Sequence, residues 1–97
     1  MVTLVYTIPK EELNQYAFSQ DDVLSGDQDG RRSRSYNLQR AERLGNAFHG
    51  KVRINFLTQD KSERTVETTV WAAGDDFVNL KGGITLPVRA ITRVEFA

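Results

Sequence analysis

The chain contains no cysteine and only one histidine, His49, among its 97 residues. The missing cysteines exclude disulfide bonds, thiolate zinc sites and thiol nucleophiles. A single imidazole cannot build a metal site of several histidines, and the sequence supports no Ser-His-Asp arrangement. We therefore expect no catalytic residues, no cofactor, no metal ion and no small-molecule substrate, and the chain is predicted not to be an enzyme.

Long apolar runs are missing as well. None approaches the roughly 20 residues that a membrane-spanning helix needs. The opening MVTLVYTIPKEEL lacks the basic start of a secretory signal peptide. These absences predict a cytoplasmic protein that does not enter a membrane. A chain of this length is expected to form one domain, residues 1–97.

Neither sign of charge is in excess, since 13 basic residues balance 13 acidic ones. Along the chain, however, the signs separate. Residues 1–30 carry one lysine against six acidic residues, whereas residues 31–53 carry seven basic residues against one glutamate. The basic stretch either binds an anionic partner or pairs with the acidic stretch, and both interpretations stay open. Its candidate nucleic-acid-binding residues are Arg31, Arg32, Arg34, Arg40, Arg43, Lys51 and Arg53.

The first 35 residues divide into an ordered part and a mobile part. Residues 1–18 are expected to form a strand over residues 2–8, which are mostly apolar or β-branched, and a short helix after Pro9. Residues 19–35 contain two apolar residues in seventeen. Such a segment cannot bury enough surface to offset the entropy of ordering it, which predicts a mobile polar loop.

Apolar residues over residues 36–48 recur with the period of a helix. Leu38 and Ala41 begin the apolar stripe. Gly50 is placed to end the helix in the left-handed conformation. Gly45 costs about 1 kcal/mol relative to alanine in a helix interior. This glycine either ends the helix early or lets the helix approach the sheet closely.

From residue 51 onward apolar residues alternate with polar ones, which is the period of β-strands. Five short strands are predicted, with tight turns at residues 74–76 and 82–83. Together with the preceding helix they make up residues 36–97. Strands of about five residues with such turns suit a mainly β, strongly bent antiparallel barrel. The residues expected in its core are Val52, Ile54, Phe56, Val70, Leu80, Ile84, Leu86, Ile91 and Val94.

The tail VNLKGGITLPVRAITRV, residues 78–94, resembles the end of small SH3-like barrels, and of Sm-like folds in particular. The match covers roughly residues 36–96 and implies an SH3-like (Sm-like) barrel with an N-terminal strand and one or two short helices. The early-strand signature with which Sm-like proteins bind a base is missing. The combination of VETTVWA, VNLKGG and LPVRAI is also similar to a group of small bacterial proteins, of Bacteroidetes type, with no assigned activity.

Two binding functions follow from these observations. The first is a non-catalytic binding or assembly module whose partner is a protein or a second copy of the chain, because bent open barrels leave edge strands that pair readily. The alternative is a weak binder of RNA or single-stranded DNA that uses the basic stretch, residues 31–53. The pI of 6.6 favours the first function, since nucleic-acid modules are typically basic.

Overall fold

The computed structural model describes residues 6–96, apart from the side chain of Tyr6, and shows a mainly β fold with two sheets and one α-helix. The helix, α1, spans Gln28–Phe48. Two 3₁₀ helices span Lys10–Gln15 and Val88–Ala90. Among the described residues no helix has both the length and the apolar character to cross a bilayer. The strands are β1 (Tyr6–Ile8), β2 (Val52–Leu57), β3 (Glu63–Thr68), β4 (Val70–Ala73), β5 (Phe77–Leu80), β6 (Ile84–Pro87) and β7 (Ile91–Phe96).

The strands form two sheets. The first has the order β1-β3-β2-β7, in which β1 lies parallel to β3 and the other pairs are antiparallel. The second is the antiparallel meander β4-β5-β6. The prediction of a small, mainly β fold is confirmed. Within residues 6–96 no strand pair joins the two sheets, so a closed barrel is not seen. Of the strand predicted over residues 2–8, only β1 lies within the described residues.

Both predicted glycine turns are confirmed. Residues 74–76 join β4 to β5, and the N–H of Gly74 donates to the carbonyl oxygen of Phe77 at 2.9 Å. Gly82 and Gly83 lie in the turn between β5 and β6 with φ of 91° and 77°. This left-handed region is open to glycine at no steric cost, which is why two glycines stand there.

The start of α1 differs from the prediction. The helix begins at Gln28, so the prediction of a mobile polar loop over residues 19–35 is wrong for residues 28–35. Asp27 caps the helix, since its Oδ1 accepts a hydrogen bond from the N–H of Gly30 at 2.8 Å. Composition reflects apolar area alone. The helix start is stabilised instead by the capping bond and by the hydrogen bonds that two arginines of this segment make to groups outside the helix.

The end of α1 explains Gly45. The helix continues past this glycine to Phe48, and His49, the residue after it, adopts the left-handed conformation (φ 56°) that was expected of Gly50. A Cβ atom on Gly45 would meet the carbonyl oxygen of Val70 and lie 3.0 Å from Cγ2 of Thr69. Of the two roles left open for Gly45, the structure therefore supports close approach of α1 to the sheet.

The core lies between α1 and the two sheets. Eight of the nine residues predicted for it are buried, and Ile84 is partly buried against them, which confirms the alternation argument. The first 3₁₀ helix contributes Leu13, which is 2 % exposed. Phe56 receives edge-on contacts from Tyr16 and Phe18, with ring centroids 6.4 and 5.9 Å away. The segment before α1 thus completes the core of the sheet.

A carboxylate on α1 fixes the helix to the second sheet. Oε2 of Glu42 accepts a hydrogen bond from the backbone N–H of Ala73, at the end of β4, at 2.7 Å. We expect Glu42→Ala to lower the free energy of unfolding by about 1–2 kcal/mol, because a half-buried N–H loses a charged acceptor. Urea unfolding measures the change.

The matched control for Glu42→Ala is Gln39→Ala, at an exposed position of the same helix. It should change the free energy of unfolding by less than about 0.5 kcal/mol. Equal values for the two variants would show that the Ala73 N–H does not depend on Glu42.

Candidate nucleic-acid interface

One face of α1 is buried and the opposite face is basic. The buried residues are Arg34, Leu38, Ala41 and Gly45. Side chains turn by about 100° per residue around an α-helix, so positions 32, 36, 40 and 43 share the face that points away from the core. All four are exposed. We call this set the basic stripe; its members are Arg32, Tyr36, Arg40 and Arg43.

Arg40 connects the basic stripe to the first sheet. Its guanidinium carbon lies 4.4 Å from the ring centroid of Phe96, the last residue of β7, and 5.9 Å from the ring of Tyr36. A guanidinium within about 6 Å of an aromatic centroid is attracted by the ring quadrupole. Its Nη1 also donates to Oδ1 of Asn37 at 3.4 Å. Arg40 is therefore held between two aromatic side chains.

A cleft lies at the end of the first sheet where β2 begins and β7 ends. Its volume is about 190 Å³. Two predicted binding residues, Lys51 and Arg53, lie on its rim and are exposed. Nε of Arg53 lies 3.4 Å from Oε2 of Glu67 on β3. We call this feature the β2–β7 cleft; it is lined by Lys51, Val52, Arg53, Glu67, Glu95 and Phe96.

Arg31 does not join this surface. Its Nη1 donates to the carbonyl oxygens of Leu24 and Ser25, at 2.7 and 2.6 Å, and so holds the turn that precedes α1. These hydrogen bonds use donors that a phosphate would need. Arg31 was predicted to belong to the binding surface, but in the structure it makes a local structural contact.

Arg34 lies in the interior, with 5 % of its surface exposed. Its Nη1 and Nη2 donate to the two carboxylate oxygens of Asp22 at 2.9 and 2.6 Å, and Nη1 also donates to the carbonyl oxygen of Ile91 at 2.9 Å. The guanidinium thereby joins the segment before α1 to β7. Buried in this way, Arg34 is a structural residue and not part of the exposed basic surface.

The Arg34 hydrogen bond lowers the pKa of the Asp22 carboxyl below its ordinary value, and a bond from the N–H of Leu24 acts in the same direction. Partial burial of the carboxyl opposes this shift. Within residues 6–96, this is the ion pair that joins the acidic stretch to the basic one. Pairing between the two stretches therefore accounts for Arg34 and leaves the basic stripe facing outward.

Sequence reasoning missed Phe96, Glu67 and Glu95 as parts of this surface. The pairing of β2 with both β3 and β7 places the two glutamates next to Arg53. Phe96, at the end of β7, lies next to Arg40. No local pattern signals such a neighbourhood. The stripe itself could have been found by extending the helical period backward from residue 36 to Arg32.

Within residues 6–96 no group of three or more His, Cys, Asp and Glu side chains is placed to hold a metal ion. The chemistry that the arrangement offers is that of cations and aromatic rings on an open surface. No protein-family model, curated protein or solved structure matches the chain, so a functional proposal rests on the basic stripe and the β2–β7 cleft.

Proposed function

We propose that this chain is a non-catalytic module that binds single-stranded RNA or DNA along the basic stripe. The observation that carries the proposal is the alignment of Arg32, Arg40 and Arg43 with Tyr36 on the exposed face of α1. Guanidinium groups bind phosphates, and aromatic rings stack on unpaired bases. A single strand offers both at once, since its bases are not enclosed in a duplex.

The spacing of the basic stripe supports contact with several phosphates of one strand. Arg32 and Arg43 are separated by about 16 Å along the helix axis, at 1.5 Å per residue, which spans several phosphates of one strand. Arg40 packs on Phe96 at the end of β7, and Lys51 and Arg53 line the β2–β7 cleft at the same end of the sheet. These five cations are the groups that we assign to phosphate contacts.

Acidic groups near these cations limit the expected affinity. Asp29 stands in the first turn of α1, and Glu67 lies against Arg53. With a net charge of zero, the chain gains little from long-range attraction of a polyanion. Binding should therefore be weak at physiological salt, and log K should fall with log salt with a slope of about −3.5 for five phosphate contacts.

Neutralising two stripe arginines should weaken binding. We expect Arg32→Gln/Arg43→Gln to raise the Kd of a fluorescein-labelled single-stranded RNA about tenfold at low salt and to flatten the salt slope by about 1.4, because each phosphate contact on a single strand contributes about 0.7. Glutamine preserves helix propensity. Arg40 is left intact because it packs on Phe96. Fluorescence anisotropy measures both quantities.

The control for the arginine variant removes two charges from turns outside the stripe. Lys61→Asn/Lys81→Gln serves, since both lysines are exposed and asparagine tolerates the positive φ of Lys61 (66°). This variant should bind within about twofold of wild type. Equal weakening by the two variants, or no binding by wild type at 20 mM salt (a condition of about 20 Å Debye length), would reject the proposal.

A second candidate function is association with a protein partner or with another copy of the chain. The observation that favours it is Phe48, 78 % exposed at the end of α1. Next to it the His49 ring packs edge-on against Trp71, with centroids 5.3 Å apart. An exposed aromatic of this kind is typical of protein contact surfaces. Light scattering coupled to gel filtration separates a monomer from a self-associating chain.

We also propose that the two sheets are the halves of an SH3-like (Sm-like) bent barrel, in a protein of the bacterial cytoplasm. The strands from β2 to β7 pair with their sequence neighbours except at two places, and β7 returns to β2. Only Thr69 separates β3 from β4, and its carbonyl oxygen accepts a hydrogen bond from the N–H of Lys81 at 3.0 Å. One chain segment thus runs from the first sheet directly into the second, as strands of bent barrels do.

A further inference from the structure

A row of alternating charge crosses three strands beside the β2–β7 cleft. In the strand register Arg53 lies opposite Glu67 of β3 on one side and opposite Glu95 of β7 on the other. Residues opposite one another in a sheet point to the same face. Carboxylate, guanidinium and carboxylate therefore stand side by side on one face of the sheet, and all three line the cleft. Phe96, next to Glu95 in β7 and opposite Val52, points to the other face.

These charged groups are held weakly enough to exchange partners. The Arg53–Glu67 contact is long, at 3.4 Å, and its side chains are 59 % and 47 % exposed. Glu95 pairs with the 69 % exposed Arg93 at 2.7 Å. Exposed pairs of this kind contribute about 0–1 kcal/mol. A ligand that offers donors to a carboxylate and acceptors to a guanidinium can replace them at little cost.

The volume of the cleft limits the size of the ligand that it can hold. Its volume of about 190 Å³ is below the roughly 300–1,000 Å³ of pockets for drug-sized molecules. One nucleobase fits such a space better than a complete nucleotide. The Phe96 ring packs on Arg40, on the helix side of the sheet, so the charged groups are what hold the base. Lys51, also in the lining, offers a cation to a phosphate of the same strand.

The donor and acceptor pattern selects among the bases. An ionised carboxylate accepts hydrogen bonds only, and an arginine donates only. Guanine presents two adjacent donors, N1–H and the N2 amino group, and two acceptors, O6 and N7, of which an arginine can bind both. Adenine and cytosine have one amino group and no adjacent ring N–H, and uracil has a single N–H between two carbonyl oxygens.

We infer that the β2–β7 cleft binds an unpaired guanine base, with Glu67 or Glu95 accepting from its N1–H and N2 groups and Arg53 donating to its acceptor edge. The inference rests on the proposed single-strand binding. A guanine site would add base selectivity to a surface that otherwise contacts only phosphates. Glu67, Glu95 and Arg53 are binding residues in this proposal, and the basic stripe sets the overall affinity.

The test compares labelled uridine decamers that carry one central guanosine, inosine or uridine. Wild type should bind the guanosine oligomer about tenfold more tightly than the uridine oligomer, and inosine, which lacks the N2 amino group, should fall between them. Glu67→Gln/Glu95→Gln should reduce this ratio to below twofold. Its affinity for the uridine oligomer should be retained or raised, because two negative charges are removed.

Two further variants separate the cleft from the stripe. Glu63→Gln removes an exposed carboxylate from the same strand, β3, outside the cleft and should keep the tenfold ratio. Arg32→Gln/Arg43→Gln should weaken binding of all oligomers equally and also keep the ratio. Binding of all oligomers with equal affinity by wild type, or a ratio unchanged in Glu67→Gln/Glu95→Gln, overturns the guanine inference alone. Failure of every oligomer to bind overturns the proposed function and the guanine inference with it.

Discussion

Asp22→Asn is expected to lower the free energy of unfolding by about 3 kcal/mol at neutral pH. The substitution keeps the shape of the side chain but removes the charge that faces Arg34, of which 5 % is exposed. The guanidinium then remains buried with the Ile91 carbonyl oxygen as its remaining strong acceptor. Breaking a buried ion pair costs about 3–5 kcal/mol, and the 27 % exposure of Asp22 places this case at the lower end.

Arg34→Met is the informative partner for Asp22→Asn. Methionine fills much of the space of the arginine stem without a charge, and Asp22 can then turn toward water. We expect this variant to lose about 1–2 kcal/mol, less than Asp22→Asn, and the double variant to resemble Arg34→Met alone. Chemical unfolding of the three proteins gives the cycle. Additive losses would show that the two side chains stabilise the fold independently.

The contribution of Asp22 should also depend on pH in a defined direction. Its pKa is lowered in the folded chain, chiefly by the hydrogen bond from Arg34. The folded state therefore holds the Asp22 proton less tightly than the unfolded chain, in which aspartates have a pKa of about 3.9. Stability from the carboxylate is present above about pH 4 and is lost as the pH falls through the folded value. The difference between wild type and Asp22→Asn should shrink in acid.

Gly45→Ala is expected to lower the free energy of unfolding by about 2–3 kcal/mol. In an exposed helix the same change would stabilise by about 1 kcal/mol. Here the added methyl group meets the carbonyl oxygen of Val70, a backbone atom that cannot turn away. Since Val70 is paired with Leu80 in the second sheet, α1 must retreat and loosen its contacts to the core.

Gly26→Ala is the control for Gly45→Ala. Gly26 lies in the turn before α1, no atom beyond its two neighbours in the chain lies within 4 Å of the position of a Cβ, and its φ is not in the left-handed region. Alanine there should be neutral or should stabilise by up to about 1 kcal/mol, since it restricts the unfolded chain. Thermal unfolding compares the two variants. A Gly45→Ala protein as stable as wild type would mean that α1 packs less closely on β4 than described.

The C-terminal half could be predicted from the sequence because its information is local. Alternation of apolar residues identified the core of the strands, and the glycine pairs identified the turns. Ile84, only partly buried, departs modestly from that pattern. Each of these features depends on neighbours within a few positions, which composition and spacing record directly.

The first half could not be predicted in the same way, since distant contacts decide it. Arg34 is fixed by Ile91, 57 residues further along the chain. Nothing near residue 34 indicates that this arginine is buried while Arg32 is not, except the helical period once the helix is known to start at Gln28. The candidate site shows the same limit: Arg40 was identified as basic, but Phe96 beneath it depends on where β7 lies.

The parallel pairing of β1 with β3 has a consequence for the order of folding. Tyr6 lies opposite Arg64 and Ile8 opposite Val66, so this contact closes most of the chain into a loop, whereas the β2–β3, β4–β5 and β5–β6 pairs close short ones. Loop closure costs more entropy as the loop lengthens, and non-local pairs form slowly. β1 should therefore dock after the hairpins. Until it does, one side of β3 is an unpaired strand edge, the position at which a second nascent chain would be captured.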